Sequence, residues 1–267
     1  MNLLPDSENV PLLNIRNRCP FRSPARSETV PTWQWLIALI LAYLLGSVPF
    51  GLIFGLAHGV DIRDSGSGNI GATNLGRTIG KKWGAICFIL DMLKGALPVI
   101  IFGYFAGVLG GLDTFRGLAP RPEDQPTSLQ LLQWVSVGGA AVIGHVFPLY
   151  LKFKGGKGVA TGFGAMIAMW PELTAPVIAA LFVWYLVLKA TRYVGIASCA
   201  AAISLPAWYI LWRIPKAPES FSHVVHYVGR GWPVILATSL LALLVVFRHR
   251  GNIKRVLEGT ENKVGEH

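Results

Sequence analysis

Seven apolar runs constrain this chain more than anything else in it, at roughly residues 33–57, 83–109, 130–151, 158–170, 173–190, 195–213 and 231–247. A bilayer core about 30 Å thick takes about 20 apolar residues per helix, and most of these runs reach that length. Only 14% of the 267 residues are charged and the mean hydropathy is +0.49, where a soluble domain carries nearer a quarter charged residues. The expected fold is all-α, a polytopic membrane protein with seven transmembrane helices. No strand pattern of any length occurs. The fourth and fifth runs are short and meet at Pro171, which predicts a tight turn at Trp170-Pro171-Glu172, with one long kinked helix as the alternative. Pro49, after Gly46 and Ser47, should kink the first helix, and the carbonyl it frees needs a partner. Gly51 and Gly55, and Gly138, Gly139 and Ala141, stand at spacings that let helix backbones approach.

Between these runs lies the least ordinary stretch, Asp61 to Arg77. It gathers two arginines, two aspartates, two asparagines, two serines and Gly66, Gly68, Gly71 and Gly76. Each glycine costs about 0.5–1 kcal/mol of backbone ordering relative to alanine, so their density needs a reason. Backbone amides, hydroxyls, side-chain amides and guanidinium forks are what a phosphate site uses. A dinucleotide pattern, G-x-G-x-x-G, also fits Gly66 to Gly71. It is rejected, because no buried strand precedes it.

Two further polar stretches fall on the same side if the runs alternate. Gly144 to Thr161 contains Lys154-Gly155-Gly156-Lys157-Gly158 just before a helix start, where exposed amides and the helix dipole favour anions. No Walker A spacing occurs there, so an ATPase has no support. Arg248 to Glu261 places His249 and Asn252 at a helix exit. The side holding all three stretches carries 14 Lys and Arg against 9 on the other. The positive-inside rule therefore puts it in the cytoplasm, with the N-terminus outside and the C-terminus cytoplasmic.

The remaining polar residues are read as structural. Asp91 and Lys94 stand at i, i+3 inside the second helix, where they can pair. His145 is as readily a packing group as a catalytic one. His223 and His226 lack a third ligand, and Cys19, Cys87 and Cys199 are too scattered for a thiolate site or a disulfide framework, so no metal is expected. The net charge of +10 sits in short connections without a basic tail. Anionic headgroups and phosphorylated substrates account for it better than nucleic acid. Residues 1–32, with four prolines before Pro31 and no apolar signal core, are expected to be a poorly ordered tail. Residues 33–267 then make a single domain.

Taken in order, Ser47-Val48-Pro49-Phe50-Gly51, Asp61-Ile62-Arg63, Gly66 to Asn74, Gly144-His145-Val146-Phe147-Pro148, Lys154 to Thr161, Arg248-His249, Asn252-Ile253 and Glu258 to Glu261 resemble the PlsY family. These are bacterial membrane glycerol-3-phosphate acyltransferases that use acyl phosphate as donor, and the likeness runs from about residue 33 to 261. It implies seven helices, an active site facing the cytoplasm at the inner membrane, and no cofactor. The reaction implied is acyl phosphate plus glycerol 3-phosphate giving lysophosphatidic acid and inorganic phosphate. A separate enzyme makes the acyl phosphate, a functional partner. One departure is that Arg192-Tyr193-Val194 is followed by Gly195 rather than a serine-rich start, leaving Ser198 to serve.

On this reading Arg63, Lys157, Ser198, His249 and Asn252 are the catalytic set. Ser67, Gly68, Asn69, Asn74, Lys154, Gly155, Gly156, Gly158 and Thr161 bind substrate. An acyl phosphate is already activated, so direct attack by the glycerol hydroxyl needs no covalent intermediate. Whether His249 or the substrate's own phosphate takes the proton stays open at this level. The acyl chain is expected between helices, against walls of the first and second. A glycerol-phosphate transporter is the competing class, although its binding site would sit at mid-membrane, and the polar motifs here gather at one face.

Overall fold

The computed structural model describes residues 29–110, 125–215, 218 and 220–265. Most of the expected tail therefore lies outside the described residues. The elements are α1 (Thr32–Gly46), α2 (Phe50–Ala57), α3 (Ala72–Thr78), α4 (Lys81–Phe105), α5 (Ser128–Val146), α6 (Val159–Ile167), α7 (Thr174–Thr191), α8 (Val194–Arg213), α9 (Phe221–Gly229), α10 (Trp232–Arg248) and α11 (Arg250–Leu257). A short 3-10 turn spans Leu149–Leu151. Among the described residues there is no strand.

Five spans are long and apolar enough to cross a membrane: Thr32–Ala57, Lys81–Phe105, Ser128–Leu151, Thr174–Thr191 and Val194–Arg213. The pair α9 and α10, bent by 60°, can supply a sixth. The fourth expected run is different. Its helix α6 has nine residues, about 13 Å at 1.5 Å per residue, too short to span alone. The chain nevertheless passes from one end of the bundle to the other there. Gly158 packs on Val146, while the Trp170 carbonyl accepts from the Gly110 amide beyond the far end of α4. The turn predicted around Pro171 follows, before α7.

A buried polar cluster marks one end of the bundle, and a gathering of polar connections marks the other. At one end Arg213 donates to Glu172 at 3.0 Å and to the Tyr227 carbonyl, and Tyr209 donates to Glu172 at 2.5 Å. The other end gathers the connections 58–80, 147–158 and 191–193 with the C-terminal segment. The expected break at Pro49 is present, and α1 stops at Gly46. At this break the Val48 amide donates to the Leu45 carbonyl at 3.2 Å, and Lys94 donates to the Val48 carbonyl at 2.8 Å while pairing with Asp91 at 2.8 Å, so the pairing expected from their spacing is present.

Close packing depends on small residues, though not all those expected. A methyl at Gly46 would overlap the Ala141 backbone, and one at Gly144 the Tyr43 carbonyl, so α1 and α5 touch backbone to backbone. Gly51 and Gly55 instead make room for the Ile70 and Val60 carbonyls of the loop beside them. Large apolar side chains such as Phe105, Phe182 and Leu243 point outward, the surface expected of a helical bundle in lipid.

Candidate active site

The glycine-rich loop is held from beneath by its own apolar residues. Ile62, Ile70 and Leu75 are buried with Leu52 and Cys87, and Leu151 packs on the same cluster. Burying side chains of this size contributes about 1.5–3 kcal/mol each, which anchors the loop without help from its polar groups. Asn74, on α3, then organises the backbone above. Its Oδ1 accepts from the Ser67 amide at 2.8 Å, and its Nδ2 donates to the Ile62 and Ser65 carbonyls at 2.8 and 3.0 Å. The side chain faces the loop and holds it in shape. Gly66 and Gly68 have φ of 57° and 66°, and a side chain on Gly66 would strike Asn74. Arg63 is exposed and paired with Asp61, its Nε at 2.9 and 3.1 Å from the carboxylate oxygens. That pairing, with the Arg63 amide, holds Asp61 down at about 2. Ser67 is exposed and Asn69 half-buried at the same rim.

The second stretch is clamped from two sides. The amides of Gly155 and Gly156 donate to the Val146 and His145 carbonyls, both at 3.1 Å. Arg248 donates to the Gly155 and Gly156 carbonyls at 2.8 and 3.0 Å. The His145 ring lies against Gly156, leaving no room for a methyl. Its Nδ1 is 3.7 Å from Asp91, which links the clamp to the buried pair in α4. Gly158, at φ 80°, turns the chain into α6. Lys154 is exposed, and Thr161 is fully buried, its carbonyl against Gly95.

Lys157 leaves this clamp toward α11 and donates to Asn252 Oδ1. Asn252 Nδ2 donates to Glu261 at 2.5 Å, and Arg255 holds the other oxygen of Glu261 at 2.6 Å. His249 caps α10, its Nδ1 bonded to the Val245 carbonyl at 2.7 Å. A carbonyl can only accept, so Nδ1 carries the hydrogen and Nε2 keeps a lone pair. Gly195 lets both side chains come close, because a methyl there would press on Asn252 and His249. Ser198, three residues on, donates to the Val194 carbonyl at 2.8 Å and accepts from Trp184 at 3.3 Å.

The charges tune one another. Burial, opposed by Glu261 and reinforced by Arg255 and Arg248, lowers Lys157 to about 8. Burial, with Lys157 close by, lowers His249 to about 4. At neutral pH the pair is one ammonium beside one neutral imidazole.

Lys157, Asn252 and His249 thus come together with the Gly155–Gly158 backbone near Gly195 at the start of α8, whereas the hydroxyl of Ser198, farther along that helix, bonds Val194 and Trp184. The glycine-rich loop joins this end through Arg77, which donates to the Asn262 carbonyl at 3.4 Å, but Arg63 itself is turned to Asp61. Sequence reasoning assigned no role to Glu261, Arg255 or Arg248. The signal available was Asn252 and Arg255 at i, i+3 on α11, one face of a short polar helix. Between α5, α6 and α10 lies an apolar cavity of about 300 Å³ lined by Val142, Gly162, Met166, Leu240 and Leu244 among others. The walls expected from the first and second helices are not its walls. One end is near the site, since Val142 meets Gly158 and Leu244 precedes Arg248 by one turn.

A family model described as glycerol-3-phosphate acyltransferase matches residues 36–259. Curated proteins named glycerol-3-phosphate acyltransferase are similar over nearly their whole length. The one from Endomicrobium trichonymphae is 39% identical, over 86% of this chain and 95% of its own. The one from Aquifex aeolicus is 36% identical, over 85% of this chain and 98% of its own. Among solved structures, PlsY, an integral membrane glycerol 3-phosphate acyltransferase, superposes in its glycerol 3-phosphate form with a TM-score of 0.67. It is 34% identical, over 87% of this chain and 96% of that one. Its lysophosphatidic acid form gives 0.64 at 33% identity. With an all-helical bundle, a polar site at one end and a family match across most of its length, this chain is a multi-pass membrane protein of the glycerol-3-phosphate acyltransferase family.

Proposed function

We propose that this protein transfers an acyl group from acyl phosphate to the 1-hydroxyl of glycerol 3-phosphate at the cytoplasmic face of the inner membrane, giving lysophosphatidic acid and inorganic phosphate. The observation that carries it is the meeting of Lys157, Asn252 and His249 beside a clamped glycine backbone, next to an apolar cavity. Cations and glycine amides suit phosphate groups, and the cavity suits an acyl tail. The two related PlsY structures are a glycerol 3-phosphate form and a lysophosphatidic acid form, and these two molecules are the acceptor and product of the proposed reaction.

The hydroxyl oxygen attacks the acyl carbonyl, a carbon–oxygen bond forms, and the bond to the phosphate oxygen breaks. The proton passes to His249 Nε2, the ring nitrogen with the lone pair. Phosphate departs toward Lys157, whose charge offsets the growing negative charge on the leaving oxygen. Direct attack is favoured over a seryl intermediate because Ser198 donates its hydroxyl hydrogen to a carbonyl rather than to a base. Arg63, Ser67, Gly68, Asn69 and Lys154 form the outer rim that first meets the phosphates, Asn74 holds the loop backbone that presents them, and Thr161 packs at the start of α6 beneath the Gly155–Gly158 turn. The donor follows from the family resemblance and from this chemistry.

The test is product mass spectrometry of purified protein given acyl phosphate and glycerol 3-phosphate without added metal. Lysophosphatidic acid and equimolar phosphate, formed only when both substrates are present, are expected. Product from acyl-CoA but none from acyl phosphate refutes the donor. Uptake of glycerol 3-phosphate into proteoliposomes without acyl transfer refutes the reaction.

A further inference from the structure

The C-terminal segment is built into the site. After α11, Gly259 at φ 72° reverses the chain, and the amides of Thr260 and Glu261 bond the Arg255 carbonyl at 2.8 and 3.1 Å. Farther on, the Asn262 carbonyl accepts from Arg77. The Val264 amide then donates to the Arg192 carbonyl at 2.9 Å, and the Nε and amino group of the Arg192 side chain donate to the Val264 carbonyl at 3.0 and 2.9 Å. The segment therefore crosses from α3 to the turn between α7 and α8, and just before this crossing the Glu261 side chain is only 9% exposed.

We propose that Glu261 is a positioning residue for acyl transfer: its carboxylate, gripped by Arg255, turns the Asn252 amide so that its oxygen faces Lys157. The direction of the chain is fixed by chemistry. An ammonium only donates and a carboxylate only accepts, so an amide between them must give its oxygen to Lys157 and its NH₂ to Glu261. Without the carboxylate the amide is free to flip, and an NH₂ facing the ammonium repels it. The groups facing Lys157 are Asn252 and Arg255 from α11, Glu261 from the strap, Arg248 and His249 from the end of α10, and Cys199 from α8. Glu261 supplies the charge that opposes the lowering of Lys157 by burial and by the two arginines. Removing it pushes the amine toward neutrality at a lower pH.

This inference rests on the proposed reaction for its consequence, and its primary readout does not depend on turnover. In the full-length protein in detergent, the titration midpoint of Lys157 is measured by amine labelling at a series of pH values with peptide mass spectrometry. Glu261→Gln is expected to move the midpoint from about 8 to a lower pH. It should also lower kcat at least 10-fold and shift the alkaline limb of the pH–rate profile by the same amount. Glu261→Ala with added formate should regain both midpoint and kcat, whereas Glu258→Gln, on an exposed pair with Lys254, should change neither. An unmoved midpoint in folded Glu261→Gln overturns the proposal. So does Glu261→Ala that formate does not restore, including a variant that stays unfolded in formate. A shifted midpoint in a protein that transfers no acyl group would leave the placement of Glu261 intact and remove the proposed function instead.

Discussion

Lys157 and His249 divide the pH range between them. Lys157 is charged below about 8 and His249 is neutral above about 4, so the free protein holds a cation and a lone pair together only in that window. Activity that needs the ammonium falls as pH rises through about 8, and Lys157→Met should remove that limb. It should also lower kcat/KM by about 10- to 100-fold, the equivalent of one charge-assisted hydrogen bond of about 1.5–3 kcal/mol. On the acid side, bound phosphate anions oppose the lowering of His249 by Lys157. The acid limb of kcat should therefore lie above 4, and that of kcat/KM should not follow it. His249→Gln should cost about 100-fold or more in kcat if the ring is the base, with the acid limb lost. A modest drop that is uniform with pH would assign the proton to the phosphate of glycerol 3-phosphate. Stopped assays of both constants from pH 4 to 10 separate these outcomes.

At the scale of elements, the Gly155–Gly156 backbone is pinned below by His145 and above by Arg248, and Lys157 takes its direction from that clamp. Gly156→Ala places a methyl in the imidazole, so the strand of chain must move away and carry Lys157 with it. The expected result is a kcat/KM lower by at least 10-fold together with a lower thermal midpoint. Gly229→Ala, where nothing lies within 4 Å, should leave both unchanged. Much of this was legible in the chain. Apolar runs gave the spans, alternating glycines and lysines gave the clamp, and Pro49 gave the break that Lys94 caps. The rest needs neighbours that spacing does not name. Gly51 and Gly55 look like helix-packing residues but face the loop, because a small residue shows only that something comes close. Asn74 reads as a ligand in a polar string, yet its amide is filled by three backbone partners. Glu261 acquires its meaning from a chain reversal at Gly259, nine residues from the asparagine it holds.

For the whole molecule, function depends on which compartment receives the polar end. The two ends differ in kind. One has a closed cluster of Glu172, Tyr209 and Arg213, and the other has the rim of Arg63, Ser67 and Lys154 open to water. The 14 Lys and Arg on the open side outweigh the 9 opposite, and charge that near the membrane resists translocation. The short helix α6 decides the parity. Because its segment runs from one end of the bundle to the other, the connections are expected to alternate, with residues 82 and 254 on one side and residue 222 on the other. If it returned to its starting face, every later connection would change sides. Single cysteines in place of Lys82, Ser222 and Lys254, with the native cysteines replaced, test this with a membrane-impermeant maleimide on intact cells and on inverted vesicles. Ser222→Cys should react from outside, and Lys82→Cys and Lys254→Cys only in inverted vesicles. Labelling of Lys82→Cys and Lys254→Cys from opposite sides would split the glycine-rich loop from His249 and Asn252, and no single site could then hold two phosphorylated substrates.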